Sequence, residues 1–256
     1  MNLPLITKRV SNKSLAFKCR FKLDDIRATL DEFSSSGLPG DVEPKAVDSL
    51  ILITLKHWDT PVYRLVDSLE AALRSSLENT LEVTALEWST SQLFFEMRRI
   101  QESFLSTHLG DLRSNIASRA LRLERRKPMT MDEANLQRYM KEQFRVFEDA
   151  RFEARSNAYF DTQERVMGKE IPKQERERKR LNPAERESLK LKLGPDPFTR
   201  EIEVMAKIRA YYQIASTRFV DNIRQSVEAE LFYQFRDGLK DDLEEGLKVT
   251  EDNCKS

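Results

Sequence analysis

The chain has 256 residues and equal numbers of basic and acidic side chains, 43 Lys+Arg and 43 Asp+Glu. A zero net charge argues against a nucleic-acid partner, because it provides no overall attraction to a phosphate backbone. Charged residues make up 34% of the sequence, whereas glycine occurs only 7 times. This composition disfavours turn-rich sheet folds and predicts an all-α protein with long, charged helices.

The positions of the cysteines and the hydropathy pattern indicate in which cellular compartment the protein is expected. Cys19 and Cys254 lie near opposite ends of the sequence, which favours reduced thiols in a cytoplasmic protein. The apolar patch between Met1 and Lys8 is too short for the core of a signal peptide. No stretch approaches the ~18 apolar residues that suggest a membrane span. We expect a cytoplasmic protein, and peripheral association with a membrane remains open.

The N-terminal segment, residues 1–43, contains one short amphipathic pattern, from Phe21 to Phe33. It is followed by the helix-stopping run SSSG at 34–37. The sequence therefore predicts a short helix and a turn in this segment.

Residues 44–162 carry three long stripes of apolar residues at helical spacing. The first runs from Val47 to Leu77, and Pro61 within it predicts a kink. The second runs from Leu93 to Leu123 and closes in a cluster of cations before Pro128. The cluster consists of Arg122, Arg125, Arg126 and Lys127.

The third stripe, from Leu136 to Phe152, follows a pattern typical of a capping box, in which Thr130 is the cap and Glu133 the reciprocal partner. We expect a helix to begin there.

Residues 163–197 are charged, contain four prolines and have few apolar residues. That composition predicts a long disordered loop. Between Gln163 and Leu193 there are ten basic and six acidic residues, so the loop is a candidate contact for anionic lipid headgroups or an acidic partner. A solvated charged surface is the alternative. The four cations we select as contact residues are Lys173, Arg176, Lys179 and Arg180.

The last segment, residues 198–256, has the most regular stripe, from Ile202 to Phe235 at a period near 3.6 residues. We expect its apolar face to close a bundle and to mediate assembly. The selected residues of this face are Tyr212, Phe219, Ile223, Val227 and Leu231. Helices of this length predict an elongated antiparallel bundle, and a coiled coil is the rival packing.

The sequence lacks the patterns that announce a catalytic or cofactor site. It has no P-loop and no G-x-G-x-x-G run. His57 and His108 have no cysteine or second histidine at metal-ligand spacing. We therefore expect no catalytic residue, no metal and no cofactor.

Two runs resemble dynamin-like GTPases of the fungal and myxovirus-resistance types. LPGDVEP at 38–44, which leads into the helix containing Trp58, resembles the entry to a stalk helix of that family. AYYQIASTRFVDNI at 210–223 combines a tyrosine pair with R-F-V-D-N at fixed spacing and resembles the core of the GTPase effector domain. The resemblance covers residues 37–256.

The resemblance implies an incomplete dynamin-type stalk, in which the effector domain supplies the last helix and a charged loop lies at the tip. The nucleotide-binding domain and most of the first stalk helix are not represented in this sequence. It implies a non-catalytic module that self-assembles, or that docks on a full-length dynamin-like GTPase and stimulates it. Because one bundle helix is missing, we expect exposed apolar surface. The alternative function is a peripheral membrane-binding helical scaffold that acts through the basic segment 163–193.

Overall fold

The computed structural model describes residues 21–34 and 43–248. Those residues form helices, turns and bends and contain no β-strand, so the predicted all-α class is confirmed. The α-helices, in chain order, are α1 (Leu23–Phe33), α2 (Pro44–Leu55), α3 (Asp59–Ala85), α4 (Gln92–Asp111), α5 (Ser118–Arg126), α6 (Glu133–Met167), α7 (Lys173–Leu181), α8 (Pro183–Leu193), α9 (Thr199–Ser226) and α10 (Tyr233–Gly246).

Short helical turns of other types join some of these helices. They are the 3-10 turns Lys56–Trp58 and Leu86–Trp88 and the π-helical turns Leu112–Ala117 and Val227–Phe232. The helices belong to two compact units, each made from non-consecutive parts of the chain. The first unit contains residues 52–128 and 215–248, and the second contains 21–34, 43–51 and 129–214.

In the first unit, α3 pairs with a second arm made of α4, the π-helical turn 112–117 and α5. Ion pairs between the arms meet in reverse chain order, which makes the arms antiparallel. The pairs are Glu78–Arg98 (3.1 Å), Arg74–Glu102, Asp67–Arg113 and Asp59–Arg125 (2.7 Å). Because most of these side chains are well exposed, each pair contributes little, and the buried apolar stripes stabilise the hairpin.

The third segment of the first unit runs from Ala215 through the π-helical turn 227–232 and α10. The Phe219 ring lies 4.8 Å from the Trp58 ring, and the Phe235 ring lies 5.2 Å from the Phe104 ring. A side chain at Gly246 would meet Ile100. From Phe235 to Gly246 the third segment advances along the chain, while its contacts on α4 go back from Phe104 to Ile100. The third segment is therefore antiparallel to the second arm.

In the second unit, α7 and α8 fold back on α6, a helix of 35 residues that is roughly 52 Å long. Arg176 pairs with Asp161 at 2.7 Å, and Arg180 pairs with Glu153 at 3.1 Å. A small apolar core lies beneath these pairs and consists of Phe152, Phe160 and Leu189, with Tyr159, Ile171 and Leu193 packed against it.

The turn between α8 and α9 is also held in the second unit. Arg27 of α1 donates to Glu201 at 2.7 Å and lies 3.9 Å from the centre of the Phe198 ring. Arg151 of α6 donates to Asp196 at 3.1 Å and lies 4.9 Å from the centre of the same ring. Two guanidinium groups therefore hold one phenylalanine, a favourable cation–π arrangement.

The prediction of a disordered loop over 163–197 was wrong. This stretch contains the end of α6 and the whole of α7 and α8. Composition misled the prediction because the high charge is balanced by acidic partners on α6, such as Asp161 and Glu153. The amino-acid composition of a segment does not reveal ion pairs that the segment forms with a neighbouring helix.

Two local predictions also need correction. The cap of α6 is Asp132, whose carboxylate accepts from the Asn135 amide at 3.2 Å, and the predicted capping box at Thr130 was wrong. The interruption expected at Pro61 is the 3-10 turn Lys56–Trp58, just before it. Pro61 lies in the first turn of α3, where a missing amide costs little because first-turn amides have no intrahelical partner.

Some predictions fall outside the described residues. They concern Cys19, Cys254, most of the run 38–44 and residues 249–256.

Candidate assembly and contact surfaces

The predicted assembly face of the last helix is buried within the chain. Its five residues, Tyr212, Phe219, Ile223, Val227 and Leu231, are between 1% and 3% exposed. Tyr212 belongs to the second unit, and the other four belong to the first. Because these side chains already pack inside the chain, an interface between copies needs a different surface.

The end of α3, the start of α4 and the turn between them carry a group of exposed apolar residues, here named the tip patch. Its five large apolar residues are Val83, Leu86, Trp88, Leu93 and Phe95, which are between 46% and 82% exposed. Ser91 caps α4 by accepting from the Phe94 amide, so the patch sits on a defined turn. Periodicity missed four of the five residues because their side chains lie off the apolar stripes, whereas Leu93 begins the second stripe. The signal available in the sequence was the dense apolar run LFF at 93–95.

An apolar groove lies between α3 and the part of the last helical segment that contains the π-helical turn 227–232 and the start of α10. It has a volume of about 380 Å³ and is lined by Leu73, Leu77, Glu228, Phe232, Tyr233, Phe235 and Arg236. The groove belongs to the first unit, in which three helical segments pack together.

The four predicted contact cations lie on α7, and three of them already have intramolecular partners. Arg176 contacts Asp161 and Glu164, Lys179 contacts Glu175 at 2.7 Å, and Arg180 contacts Glu153. Lys173 is exposed and forms no ion pair with a described residue.

These pairs change the ionisation of their carboxylates. The Arg176 guanidinium and the Ile171 amide hold the pKa of Glu164 below its ordinary value, because both donate to its carboxylate. The Lys179 ammonium likewise lowers the pKa of Glu175. The Arg176–Glu164 pair joins α7 to α6, and the Lys179–Glu175 pair lies within α7. Both pairs are therefore structural contacts.

Exposed apolar residues surround the same segment. They are Val166, Met167, Leu181 and Leu191, which are between 69% and 84% exposed. A cavity of about 580 Å³ opens between α6, α7 and α8, with Phe160, Ile171 and Leu189 among its lining residues. Lys169, Lys179 and Lys192 also line it. The segment thus combines cations with apolar side chains.

The two histidines lie on or next to helices of the first unit. The His108 ring lies 4.2 Å from the Phe104 ring on the same face of α4, and His57 lies in the 3-10 turn before α3. The described residues contain no group of three or more histidine, cysteine, aspartate or glutamate side chains that could hold a metal ion. None of the described helices has the length and apolar content to cross a membrane.

No protein-family model, curated protein or solved structure matches this chain.

Proposed function

We propose that this chain is a non-catalytic helical assembly module of the dynamin stalk and effector-domain type. In this proposal it associates with copies of itself, or docks on a full-length dynamin-like GTPase and stimulates it, in the cytoplasm. The support from sequence is the resemblance at 210–223. Within the proposal, the helices form an elongated antiparallel stalk that lacks one member.

The tip patch is the observation that carries the proposal. Trp88 and Phe95 are 57% and 59% exposed. Val83 lies in the last turn of α3, Leu86 and Trp88 lie in the 3-10 turn that follows it, and Leu93 lies with Phe95 at the start of α4. Five exposed large apolar residues within 13 positions of the chain are unusual for a monomer, which favours an interaction surface here. Tryptophan and phenylalanine are also enriched at the centres of protein interfaces.

The apolar groove supports the same proposal. A bundle of three helices with an apolar groove along Leu73 and Phe232 offers the position that a fourth helix takes in a four-helix bundle. A helix from a partner would bury that groove.

The test is the oligomeric state of the purified chain by sedimentation velocity over a wide concentration range. We expect association that weakens strongly in the double variant Trp88→Ser/Phe95→Ser. Met131→Ser is the matched control, because Met131 is 93% exposed and lies outside the tip patch. A wild-type chain that stays monomeric throughout would contradict self-association. A full-length dynamin-like GTPase whose turnover is unchanged by the added chain would contradict docking and stimulation.

A second candidate function is a peripheral membrane-binding scaffold that acts through 163–193. The observation in its favour is that Leu181 and Leu191 are exposed on the same segment as the unpaired Lys173. Apolar side chains beside lysines suit the interface of an anionic bilayer. We expect flotation with anionic vesicles to fall in Lys173→Glu/Leu191→Ser. Lys141→Glu, an exposed lysine of α6, is the control, and equal flotation of all three proteins would eliminate this function.

A further inference from the structure

The basic cluster at the end of α5 is not used by the proposed function. In the first unit it borders a cavity of about 440 Å³ between the start of α3 and the end of the second arm. The cavity is lined by Asp59, Tyr63, Ser118, Leu121, Arg122, Arg125 and Arg126. Ser118, Arg122 and Arg126 are spaced four residues apart, which places them on one face of the helix. Asp59 and Tyr63 have the same spacing on the facing helix.

Arg125 is the anchored cation of this cavity. Its guanidinium donates to both carboxylate oxygens of Asp59, at 3.0 Å and 2.7 Å, and to the carbonyl oxygens of Leu55 and Lys56, at 3.1 Å and 2.9 Å. Its Nε atom is buried and has no acceptor among the described residues. One donor beside the cavity is therefore left over after the protein's own contacts are made.

Arg122 and Arg126 are the available cations. Both side chains are exposed, and neither forms an ion pair or a side-chain hydrogen bond with a described residue. The single carboxylate of the lining, Asp59, is already engaged by Arg125. The lining therefore has three guanidinium groups against one carboxylate, an excess of two positive charges.

This arrangement has the chemistry of an oxyanion site. A guanidinium group presents a planar fork of donors that matches phosphate oxygens in pairs. The hydroxyl groups of Tyr63 and Ser118 add two neutral donors to the same lining. A cavity of this volume is also within the range of small-ligand sites.

We propose that this cavity binds a phosphate group with a free monoester or polyphosphate terminus. Arg122 and Arg126 of α5 contact the phosphate oxygens, and Arg125 holds α5 against the start of α3. A dissolved phosphate compound and the headgroup of a phosphomonoester lipid share this chemistry. The proposal does not depend on self-assembly, because all the lining residues belong to one unit of one chain.

The first experiment is calorimetric titration with inorganic pyrophosphate at constant ionic strength. We expect Arg122→Ala and Arg126→Ala each to weaken binding roughly tenfold, the effect of losing one charge-assisted contact. Arg119→Ala is the matched control, since Arg119 is exposed on the same helix but does not line the cavity. It removes the same charge and should leave the affinity unchanged. Circular dichroism of the three variants checks that the fold is retained.

A second experiment, with lipid vesicles, distinguishes the two possible sources of the phosphate group. Vesicles of phosphatidylcholine with phosphatidic acid present a phosphomonoester, whereas vesicles with phosphatidylserine present negative charge without one. Binding to pyrophosphate that depends on Arg122 and Arg126 supports a dissolved ligand. Binding only to phosphatidic acid with the same dependence supports a lipid headgroup. The proposal is overturned if neither probe binds, if both vesicles bind equally, or if Arg119→Ala weakens binding as much as Arg122→Ala.

Discussion

Arg218 and Glu124 are 94 residues apart in sequence, and they form a two-pronged ion pair in the first unit. The Arg218 guanidinium donates to the two carboxylate oxygens of Glu124 at 2.9 Å and 2.6 Å. The glutamate side chain is only 10% exposed. The neighbouring Phe219 packs against Trp58 at the start of the hairpin. Two adjacent residues of the R-F-V-D-N run thus attach the last helix to both arms of the hairpin.

Removing this pair should destabilise the fold. Arg218→Ala leaves the Glu124 carboxylate nearly buried without its guanidinium partner, and a loss of about 1–2 kcal/mol in the free energy of unfolding is expected. This figure is reduced for the partial exposure of Arg218. Chemical denaturation measures the loss. Arg236→Ala, which breaks an exposed pair with the adjacent Asp237, is the control and should change little. An equal effect of the two substitutions would refute the role of the buried carboxylate.

The contact between Trp58 and Phe219 should contribute more than the ion pair. Both side chains are buried, and their ring centroids are 4.8 Å apart. Phe219→Ala should lower the free energy of unfolding by about 3–5 kcal/mol because it leaves a cavity. A double-mutant cycle with Trp58→Ala should give a coupling of about 0.5–1.5 kcal/mol. Val146→Ala, at an exposed position of α6 outside the tip patch, should stay within about 0.5 kcal/mol.

Two helix glycines should respond differently to substitution by alanine. A Cβ atom at Gly110 meets nothing within 4 Å, so Gly110→Ala should stabilise the protein by about 0.5–1 kcal/mol through helix propensity. A Cβ atom at Gly246 would lie 2.6 Å from Cδ1 of Ile100. Gly246→Ala should therefore be neutral or destabilising, and Ile100→Val in the same chain should relieve it. Thermal melting of the four proteins compares them, and a stabilisation by Gly246→Ala equal to that of Gly110→Ala would contradict the close approach.

The attachment of α7 to α6 should weaken in acid. Arg176 lies 2.6 Å from the Glu164 carboxylate and lowers its pKa. Since the pKa is lower in the folded state, the stabilisation is complete above the ordinary glutamate pKa and disappears as the pH falls through the lowered value. Hydrogen exchange of 173–193, corrected for the intrinsic rate, should therefore accelerate as the pH falls below the ordinary glutamate pKa of about 4.3.

Glu164→Gln isolates this effect from other carboxylates. The variant should show weaker protection at neutral pH and a smaller change with acid than the wild type. Glu177→Gln serves as the control because Glu177 is exposed and unpaired among the described residues. Identical pH profiles for the wild type and Glu164→Gln would show that this carboxylate does not attach α7.

Much of the helix inventory could be predicted because its signals are local. Apolar spacing at 93–123 and the stop before Pro128 depend on residues of one segment, and the structure has helix there from Gln92 to Arg126. The candidate surfaces were less accessible. Arg176 was selected as a contact cation for a lipid or a partner, yet it pairs with Asp161 and Glu164 of its own chain. Four of the five tip-patch residues were missed because they do not continue an apolar stripe at helical spacing.

The amino-acid sequence by itself determined that the protein is helical and where most of its long helices lie, because helix periodicity and proline interruption act over a few residues. Only the tertiary structure decided which cations are engaged and which remain available. Arg125, Arg176 and Arg218 are equally charged in the sequence, and each owes its state to an acidic partner at least 12 residues away. An arginine forms an ion pair only when the fold brings a carboxylate that is distant in sequence to within a few ångströms of it, because water and salt screen the attraction at longer range.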